Sequence, residues 1–164
     1  MRETFLGDEG CAILASFLEE HDTFSELDLH GNNITGAGIR HLINYFTKTT
    51  TLKELSLEWN NIGLSSHGME ELCAALSDNT SITSLNLQNN KISELSATSL
   101  ANLIRSNKTM QRLDLRWNDI GTEGAKTLIP VLERNQSLVE LELAGNKVSL
   151  DVTNIIGRYT SNIR

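Results

Sequence analysis

Five stretches of the chain are variations on one nine-residue phrase. They are Phe24-Ser-Glu-Leu-Asp-Leu-His-Gly-Asn32, Leu52-Lys-Glu-Leu-Ser-Leu-Glu-Trp-Asn60, Ile82-Thr-Ser-Leu-Asn-Leu-Gln-Asn-Asn90, Met110-Gln-Arg-Leu-Asp-Leu-Arg-Trp-Asn118 and Leu138-Val-Glu-Leu-Glu-Leu-Ala-Gly-Asn146. Each reads apolar-x-x-Leu-x-Leu-x-x-Asn, and two positions after the asparagine comes Ile34, Ile62, Ile92, Ile120 or Val148. The starts are separated by 28, 30, 28 and 28 residues. No other property restricts the fold as much, because a unit this short has to bury its apolar face against the next copy of itself.

Within each unit the hydrophobic period changes. The first half alternates, so Leu27 and Leu29 point one way while Glu26, Asp28 and His30 point the other, as in a strand. The second half has the spacing of an amphipathic helix: Ile39, Leu42, Ile43, Phe46; Met69, Leu72, Cys73, Leu76; Ala97, Leu100, Ala101, Ile104; and Ala125, Leu128, Ile129, Leu132. One strand and one helix per unit, stacked in series, predict an α/β leucine-rich-repeat solenoid of the ribonuclease-inhibitor type. Its parallel strands line the concave face and its helices the convex face.

The whole chain, 1–164, reads as one such domain: a half repeat 1–23, repeats 24–51, 52–81, 82–109 and 110–137, and a C-terminal repeat or cap 138–164. Leu6-Gly-Asp-Glu-Gly10 with Cys11, Leu14, Ala15 and Leu18 repeats Ile120-Gly-Thr-Glu-Gly124 with its helix, so 1–23 is read as a helical half without its strand. An N-terminus that opens in mid-repeat is what a fragment of a longer protein would show. Its unpaired strand edge and uncapped apolar helix face invite self-association. At the other end Val152, Ile155, Ile156 and Tyr159 form a last stripe, with Asp151 as its expected N-cap.

Charge narrows the partners. Fourteen Lys and Arg against twenty-one Asp and Glu leave a net charge of −7, the wrong sign for displacing counterions from nucleic acid. No apolar run has the length of a membrane span, and Met1-Arg2-Glu3-Thr4 lacks the apolar stretch of a signal peptide, so a cytosolic or nuclear compartment is expected. Cys11 and Cys73 fall on apolar helix positions two repeats apart, too distant for a disulfide, and are read as buried thiols.

Several residues that resemble chemistry are assigned to the fold. Asn32, Asn60, Asn90, Asn118 and Asn146 stand where each strand turns outward, and an amide there can pair with the backbone of its own and the neighbouring turn. Four N-x-[ST] sites occur, at Asn33, Asn79, Asn107 and Asn135. The last three share one repeat position just past the helix and are read as left-handed helix ends. Gly121-Thr-Glu-Gly124-Ala-Lys126-Thr127 is too short for a phosphate loop and carries a glutamate inside it. Gly63-Leu-Ser-Ser-His67-Gly68, a near miss for a nucleophile elbow, holds the two extra residues of the longer repeat. Pro130 is expected to kink or shorten its helix. His21, His30, His41 and His67 show no ligand spacing. This pattern points to no enzyme, no metal and no cofactor.

A solenoid of this kind binds along its strand face. The outward positions are Glu26, Asp28, His30; Glu54, Ser56, Glu58; Ser84, Asn86, Gln88; Arg112, Asp114, Arg116; Glu140, Glu142 and Ala144. Acidic residues dominate both ends, amides lie in the middle, and Arg112 with Arg116 forms one basic spot. Trp59 and Trp117 each precede a ladder asparagine and are expected to flank the amide strip. The candidate contact set is therefore Glu54, Glu58, Trp59, Arg112, Arg116 and Trp117, with a basic or mixed-charge protein segment as partner. For the tryptophans, covering the turn of the next repeat is the competing role.

The two Trp-bearing repeats, Leu57-Glu-Trp-Asn60 and Leu113-Asp-Leu-Arg-Trp-Asn118, enclose a Gln-Asn-Asn repeat, with a lengthened loop after the first. Together with Leu141-Glu-Leu-Ala-Gly-Asn146 and Asp151-Val152 they resemble the leucine-rich repeat-containing protein 45 family of centrosome-linker proteins, from Leu6 to about Tyr159. The resemblance implies a non-enzymatic scaffold at the centrosome or ciliary base whose partners are centrosomal coiled-coil linker proteins. That family carries a long coiled coil in its C-terminal half, and this chain has no sustained heptads. Two other functional classes stay open at this point: a sensor array of an immune receptor or bacterial effector, and a regulator like the Ran GTPase-activating proteins.

Overall fold

The structure, a computed structural model, describes residues 1–160. The last four residues of the expected C-terminal cap, 161–164, lie outside the described residues. Helices and strands alternate in the order α1 Gly7–Glu20, β1 Glu26–Asp28, α2 Gly36–Lys48, β2 Glu54–Ser56, α3 Ser66–Ser77, β3 Ser84–Asn86, α4 Ala97–Ser106, β4 Arg112–Asp114, α5 Gly121–Leu132, β5 Glu140–Glu142 and α6 Leu150–Ile156. The five strands form one parallel sheet in chain order. Leu27, Leu55, Leu85, Leu113 and Leu141 lie side by side across it, so the pairing register is the sequence repeat itself. Single-turn 3-10 helices at Ile62–Leu64 and Glu94–Ser96 enter α3 and α4. The first takes up the two extra residues of the longer repeat and leaves Leu64 exposed.

The core is the space between sheet and helices. Both leucines of each strand phrase, the aliphatic residue after each asparagine except the half-buried Val148, and the helix stripes are buried, with Ile43, Ile129, Ile155 and Tyr159 at the margin. Tyr45 is also buried, at a helix position that contributes Ala75, Leu103 and Val131 in later repeats. Cys11 and Cys73 are buried free thiols, and burial pushes both up to about 12, far from the thiolate form.

Backbone bonds between repeats continue past the three-residue strands, as from the Leu57 and Trp59 N–H groups to Asn86 and Gln88, and the asparagines serve turn groups that these bonds leave out. The Asn118 amide donates to the carbonyls of Leu87 and Leu115 at 2.9 Å each, while its Oδ1 accepts from the N–H groups of Asn90 and Ile92 at 2.8 and 3.0 Å. Asn60 does the same two units earlier, donating to Leu29 and Leu57 and accepting from Asn32 and Ile34. Each amide thus ties its own turn to the one before it.

A second ladder runs along the opposite edge. Asn79 donates to the Phe46 and Thr49 carbonyls, Asn107 to those of Leu76 and Asn79, and Asn135 to that of Ile104. Their Oδ1 atoms accept from the N–H groups at the start of the next strand phrase, including those of Ile82, Met110 and Leu138. The hydroxyl two residues on, Ser81, Thr109 or Ser137, bonds a carbonyl of the preceding repeat. These N-x-[ST] sites are therefore structural, but not as left-handed helix ends: Asn107 has φ −70° and ψ 130°, an extended conformation.

Two further expectations are corrected. Residues 1–6 are not only a lead into a helix: the Met1 amino group donates to the Asp28 carbonyl and the Glu3 N–H to that of His30, so they lie along the C-terminal half of β1. The N–H groups of Thr4 and Leu6 donate to Asn32 Oδ1, as those of Asn32 and Ile34 do to Asn60, which makes Thr4 the ladder residue of this first turn. Pro130 sits exposed in the last turn of α5, which ends at Leu132, two residues before the positions equivalent to the ends of α2 and α4. Ser149, rather than Asp151, precedes α6, and Asp151 lies in the first turn, where its charge complements the helix dipole.

Replacing Asn118 by alanine leaves buried carbonyls and N–H groups of two turns without partners. Urea unfolding of Asn118→Ala is expected to show a loss of about 2–4 kcal/mol, against less than about 0.5 kcal/mol for the exposed Asn102→Ala.

Candidate functional site

The outward side chains of the strands and the turns that follow them form one surface. Glu58 organises its centre: its carboxylate accepts from Asn86 Nδ2 at 3.0 Å and Gln88 Nε2 at 2.7 Å and lies 3.6 Å from the His30 ring. Glu58 thus holds the amides of the third repeat against the first.

The two arginines are already matched. Arg112 on β4 reaches over Ser84 to Glu54 on β2, 3.3 Å away, which joins strands that are not neighbours. Arg116 Nε lies 3.0 Å from both carboxylate oxygens of Asp114, and this contact raises the guanidinium further above its ordinary value. At the other end Arg2 engages Asp28. Burial acts to raise the Asp28 carboxyl, but the Arg2 and His30 hydrogen bonds outweigh it and hold the group below the usual range. The expected basic spot is therefore neutralised where it stands. With seven strand carboxylates against two strand arginines, the face is acidic.

The tryptophans occupy an unusual backbone position. The residue before the ladder asparagine is left-handed in every repeat: Gly31 at φ 67°, Trp59 at 55°, Asn89 at 51°, Trp117 at 55° and Gly145 at 78°, with Glu3 at 51° in the first turn. Glycine and asparagine suit this region, whereas a bulky side chain there is strained. Both indoles are nonetheless mostly exposed, at 57% for Trp59 and 63% for Trp117. They are engaged on opposite sides, not turned toward the strip between them. The Trp117 ring lies over Gly145 of the next repeat, so close that a Cβ there would stand 2.7 Å from Cε3. The Trp59 ring centroid is 6.3 Å from that of His30, in the preceding repeat.

Trp59 also lines a cleft of about 550 Å³ at the turn edge of the sheet, shared with Glu3, Phe5, His30, Asn33 and Lys91 among others. Phe5 and Glu3 did not stand out in the sequence. The signal was available in the repeat alignment, which, carried back into residues 1–6, pairs Glu3 with Trp59 and Phe5 with Asn33 and Lys91. Glu54, Glu58, Arg112 and Arg116 lie together on the strand face, while Trp59 and Trp117 stand on its turn edge, two repeats apart. Among the described residues no group of three His, Cys, Asp or Glu is placed to hold a metal ion, and no helix is long and apolar enough to cross a membrane.

A stacked parallel sheet with an outward-facing strand surface defines a repeat protein of the binding-scaffold class. The chain belongs to the leucine-rich repeat family, whose pattern matches residues 23–42, 48–73, 78–101, 106–128 and 134–151. It is similar to leucine-rich repeat-containing protein 45 of Gallus gallus, with 36% identity over 96 residues, which is 58% of this chain and 14% of that protein. It is also 29% identical over 96 residues to the protein phosphatase 1 regulatory subunit 37 homolog of Caenorhabditis briggsae, covering 53% of this chain and 10% of that one. The chain thus spans a small part of the length of these relatives. Among solved structures, the leiomodin-1 actin-binding site 2 superposes with a TM-score of 0.73 at 19% identity, over 91% of this chain and 87% of that one. The tropomodulin C-terminal domain of Caenorhabditis elegans gives 0.71 at 17%, over 94% and 91%. At these identities the likeness is one of fold.

The strained turn yields a stability prediction. Trp59→Gly should change the unfolding free energy by less than about 1 kcal/mol, because release of left-handed strain of about 1–3 kcal/mol offsets the lost indole contacts. Gly145→Ala should lower it by about 2 kcal/mol, since the new Cβ meets both positive φ and the Trp117 ring. Thermal and urea denaturation of the two variants side by side test the contrast.

Proposed function

We propose that this chain is a non-enzymatic protein-interaction scaffold that binds a basic or mixed-charge segment of a partner protein along its strand face. The observation that carries this reading is the composition of that face. Its two strand arginines are neutralised in place, its remaining carboxylates lie toward both ends, along the first two repeats and on β5, and exposed tryptophans stand at its turn edge. Such a surface steers a cationic partner by long-range attraction and offers aromatic contacts on arrival.

The similarity to leucine-rich repeat-containing protein 45 supports a finer reading: a centrosome-linker or cilium-associated module in the cytoplasm, bound to coiled-coil linker proteins of the centrosome. Affinity capture from dividing-cell lysate tests it. The chain is expected to retain centrosomal proteins that a folded Trp59→Ala, Trp117→Ala variant loses by at least about ten-fold, as expected when hot-spot contacts are removed. Capture of the same proteins in equal amounts by both would move the site off this face. Failure of either to retain centrosomal proteins would remove the localisation.

We also propose self-association through the N-terminal half repeat. Phe17 is 49% exposed and Phe24 38%, whereas their equivalents, Tyr45, Ala75, Leu103 and Val131 for the first and Leu52, Ile82, Met110 and Leu138 for the second, are all buried. Light scattering is expected to show a mass that rises with concentration and returns to the monomer value in Phe17→Ser, Phe24→Ser. A monomer at all concentrations would refute it.

A further inference from the structure

The cleft at the turn edge combines features that the repeat does not require. Phe5 and Trp59 both line it, both have left-handed backbone at φ 53° and 55°, and both are exposed, Phe5 at 89%. In other repeats the Phe5 position is filled by Asn33, Asn61, Lys91, Asp119 or Lys147, and the Trp59 position by Gly31, Asn89, Trp117 or Gly145. Two aromatic rings have replaced residues that suit this backbone better, and neither ring is buried in the core. An observed outlier of this kind points toward function.

The polar groups around the rings indicate what the cleft receives. The Glu3 side chain lies over Gly31, and its carboxylate is 3.6 Å from the His30 ring. On the other side of that ring, also at 3.6 Å, stands Glu58. The Glu3 carboxylate and the open Trp59 indole therefore both line the cleft, as does Lys91, and the Glu58 carboxylate stands on the adjoining acidic strand face. A planar cation suits the indole and the Glu3 carboxylate together: its face stacks on the one while its edge donates to the other, a combination available to a guanidinium and not to an ammonium.

We propose that the cleft between Phe5 and Trp59 holds an arginine side chain of the bound partner, and that it selects arginine over lysine. This rests on the reading of the strand face as the receptor for a basic segment. The cleft anchors one arginine of that segment, and the remaining basic residues lie along the acidic strands.

The test uses short Gly/Ser peptides bearing arginines, with lysine and glutamine twins, titrated by calorimetry at low salt. The chain has two tryptophans, so in Trp117→Phe the emission reports Trp59 alone. The arginine peptide is expected to change that emission and to bind roughly five-fold tighter than the lysine twin. Phe5→Asn and Trp59→Asn, which install residues that other repeats already carry at these positions, should bring arginine affinity down to the lysine level with the fold intact. Equal binding of both cationic peptides with unchanged emission would overturn the cleft proposal. The strand-face reading would survive that result if Glu26→Gln, Glu140→Gln weakened both peptides. If neither cationic peptide bound better than the glutamine twin, both proposals would fall.

Discussion

The side-chain amide that donates to one turn and accepts from the one before it is the interaction on which this structure depends. The backbone ladder runs on past the three-residue strands but leaves turn groups beside each asparagine unpaired, and buried backbone groups without partners are costly. The Asn32 to Asn146 series supplies them along one edge and the Asn79 to Asn135 series along the other. Where the first repeats lack an asparagine, a hydroxyl takes its place: Thr4 in the first ladder and Thr49 in the second. The Thr49 hydroxyl bonds Asp22, whose carboxylate also accepts from Thr51 and the Thr50 N–H. Burial opposes the charge on Asp22, but these bonds prevail and hold it below the ordinary carboxylate range.

The first ladder also determines where chemistry can collect. Turning the chain so that the asparagine points inward forces the preceding residue into the left-handed region. Glycine or asparagine fits there with the least strain, and three repeats carry one. The two tryptophans are exceptions that the fold tolerates because their rings find neighbours in adjacent repeats. The face is thereby given rigid aromatic contacts at known intervals, on a frame that loses little entropy when a partner binds.

Core and surface are separable in such a solenoid. The inward leucines set the register and spacing of the strands, whereas the outward positions are free to change without disturbing them. The likeness of fold to leiomodin and tropomodulin domains at under 20% identity shows how widely the sequence can vary on this frame.

The repeat phrase was enough to read the strands, the helix stripes, the order of the sheet and the role of the Asn32 series. All of these follow from local period and from the need of each unit to bury one face against an identical neighbour. The roles of Asn79, Asn107 and Asn135 were read as structural but with the wrong conformation, because their partners lie a whole repeat away. On the strand face, the sequence determined which residues point outward, and so its acidic character. Only the tertiary structure decided that Arg112 spans two strands to reach Glu54, that Glu58 is held by Asn86 and Gln88, and that residues 1–6 fold back to set Glu3 and Phe5 beside Trp59. Those are contacts between side chains of different repeats. They depend on rotamers, on the stacking distance and on the path of the first six residues, none of which a hydrophobic period encodes.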